Sequence, residues 1–330
     1  MKRLVLFAAS VAFALLLSAA TALGLELRAP LDCQPGRDCF IQNYVDLDPG
    51  PGAADYQCGP LSYDGHKGTD FRIRSDQMPR GVPVLAAAAG VVLAVRDGMP
   101  DVSVADTGPE AVRNREAGNS VVLEHEGGYV TQYAHLRSGS VLVKPGDRVA
   151  AGQPLGLVGL SGLTEFPHLH FETRQDGHPV CPFAGPQAAP GCGNHGASLW
   201  EPTAMQSLVY LPSMVWAAGF APEPLRGSGE PQNVGLPSTA QAAVFWAVFV
   251  GVRRGDVLRL RLTAPDGSVL AQSDVPVVAN QAQRMQFVGR RRSGAAWPAG
   301  QYTGTAELLR PGEAATVTGP ARLEASTQVP

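Results

Sequence analysis

Pro167-His168-Leu169-His170-Phe171-Glu172 alternates polar and apolar side chains with a period of two. That period is the mark of a β-strand, whose successive side chains leave opposite faces. Leu169 and Phe171 then anchor one face in a core, while His168, His170 and Glu172 share the other. A chain built around such a strand is committed to a sheet, with two imidazoles converging on one small volume above it. The wider texture agrees, since 38 glycines and 28 prolines punctuate short apolar runs. Such punctuation favours a turn-rich, all-β protein over a helical one. A lone His-x-His strand is more often a pair of surface histidines than a site, so three further stretches carry the weight.

The chain has 330 residues, enough for two domains. Its formal net charge of −3 leaves no footprint for nucleic acid as a partner. Met1-Lys2-Arg3 and the apolar run that follows read as a signal peptide over residues 1–24. Small residues at Ala20-Thr21-Ala22 and Ala22-Leu23-Gly24 offer cleavage sites, and a retained anchor is the alternative. No cysteine stands at the cleavage site to take a lipid, and no other stretch is long and apolar enough to span a membrane. The expected location is the periplasm or the extracellular cell envelope. Five cysteines fit an oxidising compartment. Cys181 and Cys192 bracket a Pro/Gly-rich loop and are expected to pair, with a second bond drawn from Cys33, Cys39 and Cys58.

Residues 25–60 read as an irregular, disulfide-stapled extension. Its Asp46-Leu47-Asp48-Pro49-Gly50 run is a better solvated turn than a calcium site. In His66-Lys67-Gly68-Thr69-Asp70, a strand would place His66 and Asp70 on one face, and Gly68 admits close approach by another backbone or a substrate. The polar stretch from Arg96 to Gly118 is long for a loop in a compact β domain, as functional rims are. Two strands then meet across Glu126-Gly127-Gly128. His125 beside that turn is expected in solvent, and His135 is expected on the strand face of Tyr133. Residues 206–221 read as a linker or a packed segment. Past the break at Pro222 and Pro224, evenly spaced strands over residues 222–330 suggest an independently folded, immunoglobulin-like β-sandwich without catalytic groups. Arg290-Arg291-Arg292 reads as a solvated basic loop.

From about Leu61 to Glu172 the chain resembles the zinc metallopeptidases of the lysostaphin and LytM type, peptidase family M23. The resemblance rests on His66-Lys67-Gly68-Thr69-Asp70, Gly81-Val82-Pro83-Val84, Gly90-Val91-Val92, Asn119, Tyr133-Ala134-His135-Leu136, Gly159-Leu160-Ser161-Gly162 and Pro167 through Glu172. It implies a metallopeptidase domain over residues 61–205, an antiparallel β-sheet groove of hybrid-barrel character. It implies one Zn2+ per chain held by His66, Asp70 and His170, with His135 and His168 as catalytic histidines. Three ligands of this type leave one zinc position open, as a catalytic site requires. Glu172, Asn119 and Tyr133 are candidates to orient the first set from behind. The family's small residues before Pro-His-Leu-His are replaced here by Glu165-Phe166, which bears on substrate preference.

The function implied is that of a zinc metalloendopeptidase cutting peptide cross-links or stem peptides of peptidoglycan. The alternative is a non-catalytic module of the same fold that binds cell wall or activates another hydrolase. Such modules lose ligands as the family goes, whereas every position is filled here. A lipoyl-type carrier is weaker still, because Lys144 beside Pro145 is a poor hairpin-tip lysine. The C-terminal β domain would bind the wall or a protein partner, or cap the groove.

Overall fold

The computed structural model describes residues 24–225, 230–231, 233–311 and 321–330. Apart from Gly24, the expected signal peptide lies outside the described residues. Among those described, no helix is long and apolar enough to cross a membrane.

The first half forms β1 (Cys39–Asn43), β2 (Gly68–Ile73), β3 (Pro83–Leu85), β4 (Gly90–Arg96), β5 (Asn119–Glu124), β6 (Tyr129–Leu136), β7 (Arg148–Val149), β8 (Pro154–Leu157), β9 (His168–Gln175) and β10 (His178–Val180). Eight of these make one sheet in the order β1-β2-β9-β6-β5-β4-β7, with β10 on β9, while β3 pairs β8 apart from it. Neighbouring strands run antiparallel. The alternation of β9 does what a period of two demands: Leu169 and Phe171 are wholly buried in a core that includes Phe71, Tyr133, Phe183 and Trp200. Register then sets the other face. Asp70 of β2 lies opposite His170 of β9, and Arg72 lies opposite His168.

Residues 25–60 do more than extend the domain. β1 completes the sheet by pairing with β2. The Asp46 carboxylate accepts hydrogen bonds from the amides of Asp48 (3.0 Å), Ala54 (3.1 Å) and Gly65 (2.9 Å), so it staples a turn. The disulfides are Cys33–Cys39 and Cys58–Cys192, and Cys181 is a buried free thiol. The expected Cys181–Cys192 bond is therefore corrected. Cys181 directly follows β10 and turns into the apolar core, where burial pushes its thiol up to about 11. Cys192 instead ties its loop back to the N-terminal segment.

The second half forms β11 (Met214–Ala221), β12 (Ala242–Val252), β13 (Val257–Thr263), β14 (Val269–Pro276), β15 (Gln281–Arg291), β16 (Gly300–Leu309) and β17 (Arg322–Val329). They make two sheets, β11-β12-β15 and β14-β13-β16-β17. Phe220, Phe245 and Phe249 from the first share a core with Leu258, Leu260, Leu262 and Tyr302 from the second. Within 206–221, expected as linker or packed segment, Met214–Ala221 is a strand paired with β12. Every residue of β11 and β12 is buried. Their far face, with Trp216, Val244, Trp246 and Val248, packs on Phe40 of β1, whose ring lies 4.5 Å from that of Trp216. The basic cluster also shifts, since Arg290 and Arg291 end β15 while the Arg292 guanidinium donates to the carbonyl of Ala240.

Candidate metal and catalytic site

Asp70 and His170 face each other across adjacent strands, and the turn before β2 brings in His66. The Asp70 Oδ1 atom lies 2.9 Å from His170 Nδ1 and 3.2 Å from His66 Nε2, and the two nitrogens are 3.3 Å apart. His66 is not part of β2, as strand alternation had suggested. It is held instead by its Nδ1–H, which donates to the carbonyl of Tyr44 at 2.7 Å. A carbonyl only accepts, so the proton sits on Nδ1 and His66 Nε2 presents a lone pair to the cluster. Asp70 Oδ2 is taken by the Asn43 amide at 3.0 Å, which leaves Oδ1 for the same volume. The approach is tight at Gly68, where a Cβ would stand 2.5 Å from the His170 ring.

His135 and His168 form the other end of the cleft, their rings 4.6 Å apart. Tyr133 opposes Phe171 and lies in the core, so simple alternation would send His135 there too. His135 instead adopts φ of 61° and swings out to the cleft. Its Nδ1–H donates to the carbonyl of Ser161 at 2.8 Å. Gly118 permits this arrangement, because a Cβ there would come within 2.3 Å of that carbonyl oxygen. His168 Nδ1 likewise lies 3.0 Å from the carbonyl of Phe166 and 3.0 Å from Thr164 Oγ1. Both rings therefore keep Nε2 free of protons, and that of His168 is 3.6 Å from Asp70 Oδ1.

The two ends are electrostatically opposite. Burial works against a charged His66, but the Asp70 carboxylate outweighs it and raises the pKa. Asp70 itself is held well below the carboxylate range, because the neighbouring imidazoles overcome its desolvation. Burial pushes His135 well down, helped by His168 and His170, and burial lowers His168 too. The donor set at the first end, two oriented acceptors and an imidazole nitrogen, is the kind that holds a cation. His66, Asp70 and His170 are one group spaced for an ion, and His135, His168 and His170 are another.

Other expectations fare differently. Glu172 approaches Arg174 at 3.8 Å and bonds no imidazole. Asn119 spends its side chain on Met99 and the carbonyl of Leu136, pinning the rim loop. The Tyr133 hydroxyl accepts from the amide of Ala87. Among the described residues none of these three side chains hydrogen-bonds a cleft histidine, while the Asn119 backbone amide reaches Ser161 Oγ at 2.9 Å, the residue whose carbonyl holds His135. His125, expected in solvent, is buried, with Nδ1 2.8 Å from the carbonyl of Ala89 and Nε2 2.7 Å from Thr131 Oγ1. The groups that do the orienting are Asn43, the carbonyls of Tyr44, Ser161 and Phe166, and Thr164. Tyr63, 54% exposed, adds a rim ring 4.4 Å from that of His66. Three of these holders are backbone atoms and leave no mark in the sequence. Asn43 left none either, because its relevance depends on β1 pairing with β2.

Known proteins cover the same region. Over 115 residues the chain is 38% identical to the peptidoglycan DD-endopeptidase ShyA of Vibrio cholerae, spanning 35% of this chain and 21% of that protein. The DD-carboxypeptidase/endopeptidase Mpg of Neisseria meningitidis is 33% identical over 119 residues, 36% of this chain and 22% of its own. The chain thus spans about a fifth of the length of these relatives. Among solved structures, the catalytic domain of the prophage-encoded M23 protein EnpA from Enterococcus faecalis aligns over 42% of this chain and 88% of its own, at 26% identity and TM-score 0.29. The model of peptidase family M23 matches residues 64–182, a stretch that takes in His66, Asp70, His135, His168 and His170.

Proposed function

We propose that the chain is an exported zinc-dependent endopeptidase of the cell envelope that hydrolyses peptide bonds in peptidoglycan, in cross-links or stem peptides. The observation that carries this reading is the pairing of an acceptor-rich cluster with two imidazoles whose Nε2 atoms are free. His66 Nε2, Asp70 Oδ1 and His170 Nδ1 would hold the zinc. Zinc bound there supplies Lewis-acid polarisation of a carbonyl and of water. The chain's own chemistry follows from the other end. His168, kept neutral by burial, has an Nε2 lone pair that accepts a proton near Asp70. His135, fixed by Ser161, presents a second bare Nε2 beside it, an acceptor for a hydrogen bond or a proton from a bound water. The names of the relatives over the same residues support a cell-wall substrate. The second half is proposed to pack as part of this enzyme, with a protein partner there as a further candidate role.

Digestion of purified sacculi by the zinc-loaded protein tests this. Cross-linked dimers should be converted to monomers whose summed mass exceeds that of the dimer by one water. Unchanged muropeptides from a fully metal-loaded preparation would remove the peptidase reading.

A further inference from the structure

Arg72 is a charged side chain with no exposed surface, two residues along β2 from Asp70 and directly opposite His168. Its guanidinium is gripped from both halves of the molecule. On the near side it donates to Gln42 Oε1 of β1 at 2.8 Å. From the second half it meets Gln283 Oε1 of β15 and the Glu230 carboxylate, 3.1 Å away. Glu230 also takes the amide of Ser75 at 3.3 Å, so it is fixed twice to the chain that leaves β2. The remaining face of the guanidinium covers the Phe166 ring, 4.3 Å from its centroid. Phe166 is the unexpected residue before Pro-His-Leu-His. Its carbonyl takes the His168 Nδ1 proton, and its ring lies 5.2 Å from that imidazole.

We propose that Glu230, Arg72 and Phe166 form a positioning relay through which the second half of the molecule sets the orientation of His168. A buried guanidinium needs a buried counter-charge, and Glu230 is the carboxylate paired with it. With Glu230 in place, Arg72 is locked as a flat cation against Phe166, a stack that favours one ring position. Phe166 then cannot rotate its peptide without losing that stack, so the carbonyl stays aimed at Nδ1. None of the three is assigned a catalytic role, since the Arg72 guanidinium is taken by Gln42, Gln283, Glu230 and the Phe166 ring. The relay explains why an aromatic residue stands at position 166: a small one would leave the guanidinium face uncovered. It also gives the interface between β1 and β11–β12 a purpose beyond packing, since that interface brings Glu230 and Gln283 within reach.

The relay rests on the peptidase reading for its effect on rate but not for its effect on His168. The test uses the full, zinc-loaded chain with two readouts, turnover of a cross-linked muropeptide and the imidazole resonances of His168, assigned by their loss in His168→Gln. Glu230→Gln should keep its zinc and lose kcat by about ten- to a hundredfold, as small misplacements of a reacting group do. KM should change little, and the His168 Nδ1–H resonance should move. Glu223→Gln, an exposed carboxylate on the same connection, should change neither. Phe166→Leu should reproduce the loss, and the double variant should be no worse than the worse single one, because both act through one path. If Glu230→Gln fails to fold, Phe166→Leu carries both readouts. Wild-type kcat with an unmoved resonance, or additive losses in the double variant, would overturn the relay. If the zinc-loaded wild type cleaves nothing, the peptidase reading fails and the resonance alone decides the relay.

Discussion

The two ends of the cleft use the same residue type to opposite effect. At one end His66 and His170 crowd a carboxylate that raises the His66 pKa. At the other, His135 and His168 are aimed by backbone carbonyls, and burial drives both down in spite of those bonds. His66, His135 and His168 share one device, a proton on Nδ1 given to a carbonyl and a bare Nε2. What separates them is only what Nε2 meets. On the proposed reading, an Nε2 facing Asp70 Oδ1 at hydrogen-bond distance belongs to a cation cradle, and one standing farther off acts as a base. An imidazole's role is thus set by the neighbour of its free nitrogen.

That contrast is broken most severely at His170. His170→Ala removes the imidazole nitrogen of the cradle and should lose bound zinc and activity together. His168→Ala should keep near-stoichiometric zinc while the rate falls by the roughly 10²–10⁴-fold typical of a lost acid–base group. Metal content by mass spectrometry, with turnover on the same preparations, separates the two ends. A metal-free His168→Ala beside a loaded His170→Ala would invert them.

How much of this was legible beforehand depended on the range of the contact. Strand β9 is readable because its period of two lies within eight residues. The sheet-forming runs of the first half are readable for the same reason, and the site residues stand in short motifs. What was not legible required knowing which strands meet. His135 defeats alternation through one left-handed residue, and Tyr133 stays in the core while its neighbour leaves it. The partner of Cys192 is 134 residues away. The burial of β12 on both faces needs Phe40, which nothing near it in sequence announces. Local pattern shows the strands of the second half, but not that β11 and β12 pack on β1.

A milder break acts on what stands behind the cradle. Asn43 takes the second oxygen of Asp70 and so aims the first. The carbonyl-held end has no contact with it. Asn43→Ala should therefore weaken zinc affinity by about 10–100-fold, the usual cost of losing such an outer partner. At saturating zinc it should leave turnover close to wild type. Competition with a zinc-binding dye gives the affinity. A variant with normal affinity but slow turnover would mean that Asn43 serves the other end.

The smallest expected effect is at His125, which shares the carbonyl device but meets neither a carboxylate nor the cleft. Its Nδ1–H goes to Ala89 and its Nε2 accepts from the Thr131 hydroxyl. Burial lowers its pKa, only partly opposed by the Ala89 carbonyl. The sign for stability follows. The unfolded chain binds a proton at this site near pH 6.5, while the folded chain resists it until lower pH. The contribution of neutral His125 is therefore complete above about pH 6.5 and lost as pH falls toward the folded value. His125→Asn should cost about 1 kcal/mol at pH 8, since the shorter side chain leaves one hydrogen bond unmade. On acidification the wild type should lose this contribution and the variant should not, so the gap between them narrows. Urea unfolding of both zinc-loaded proteins at pH 8 and pH 5 measures it. Because cradle protonation is common to the two, it cancels in the difference. A gap that stays constant would mean that His125 takes up its proton within the fold as readily as outside it, and burial at this site would then not keep an imidazole neutral.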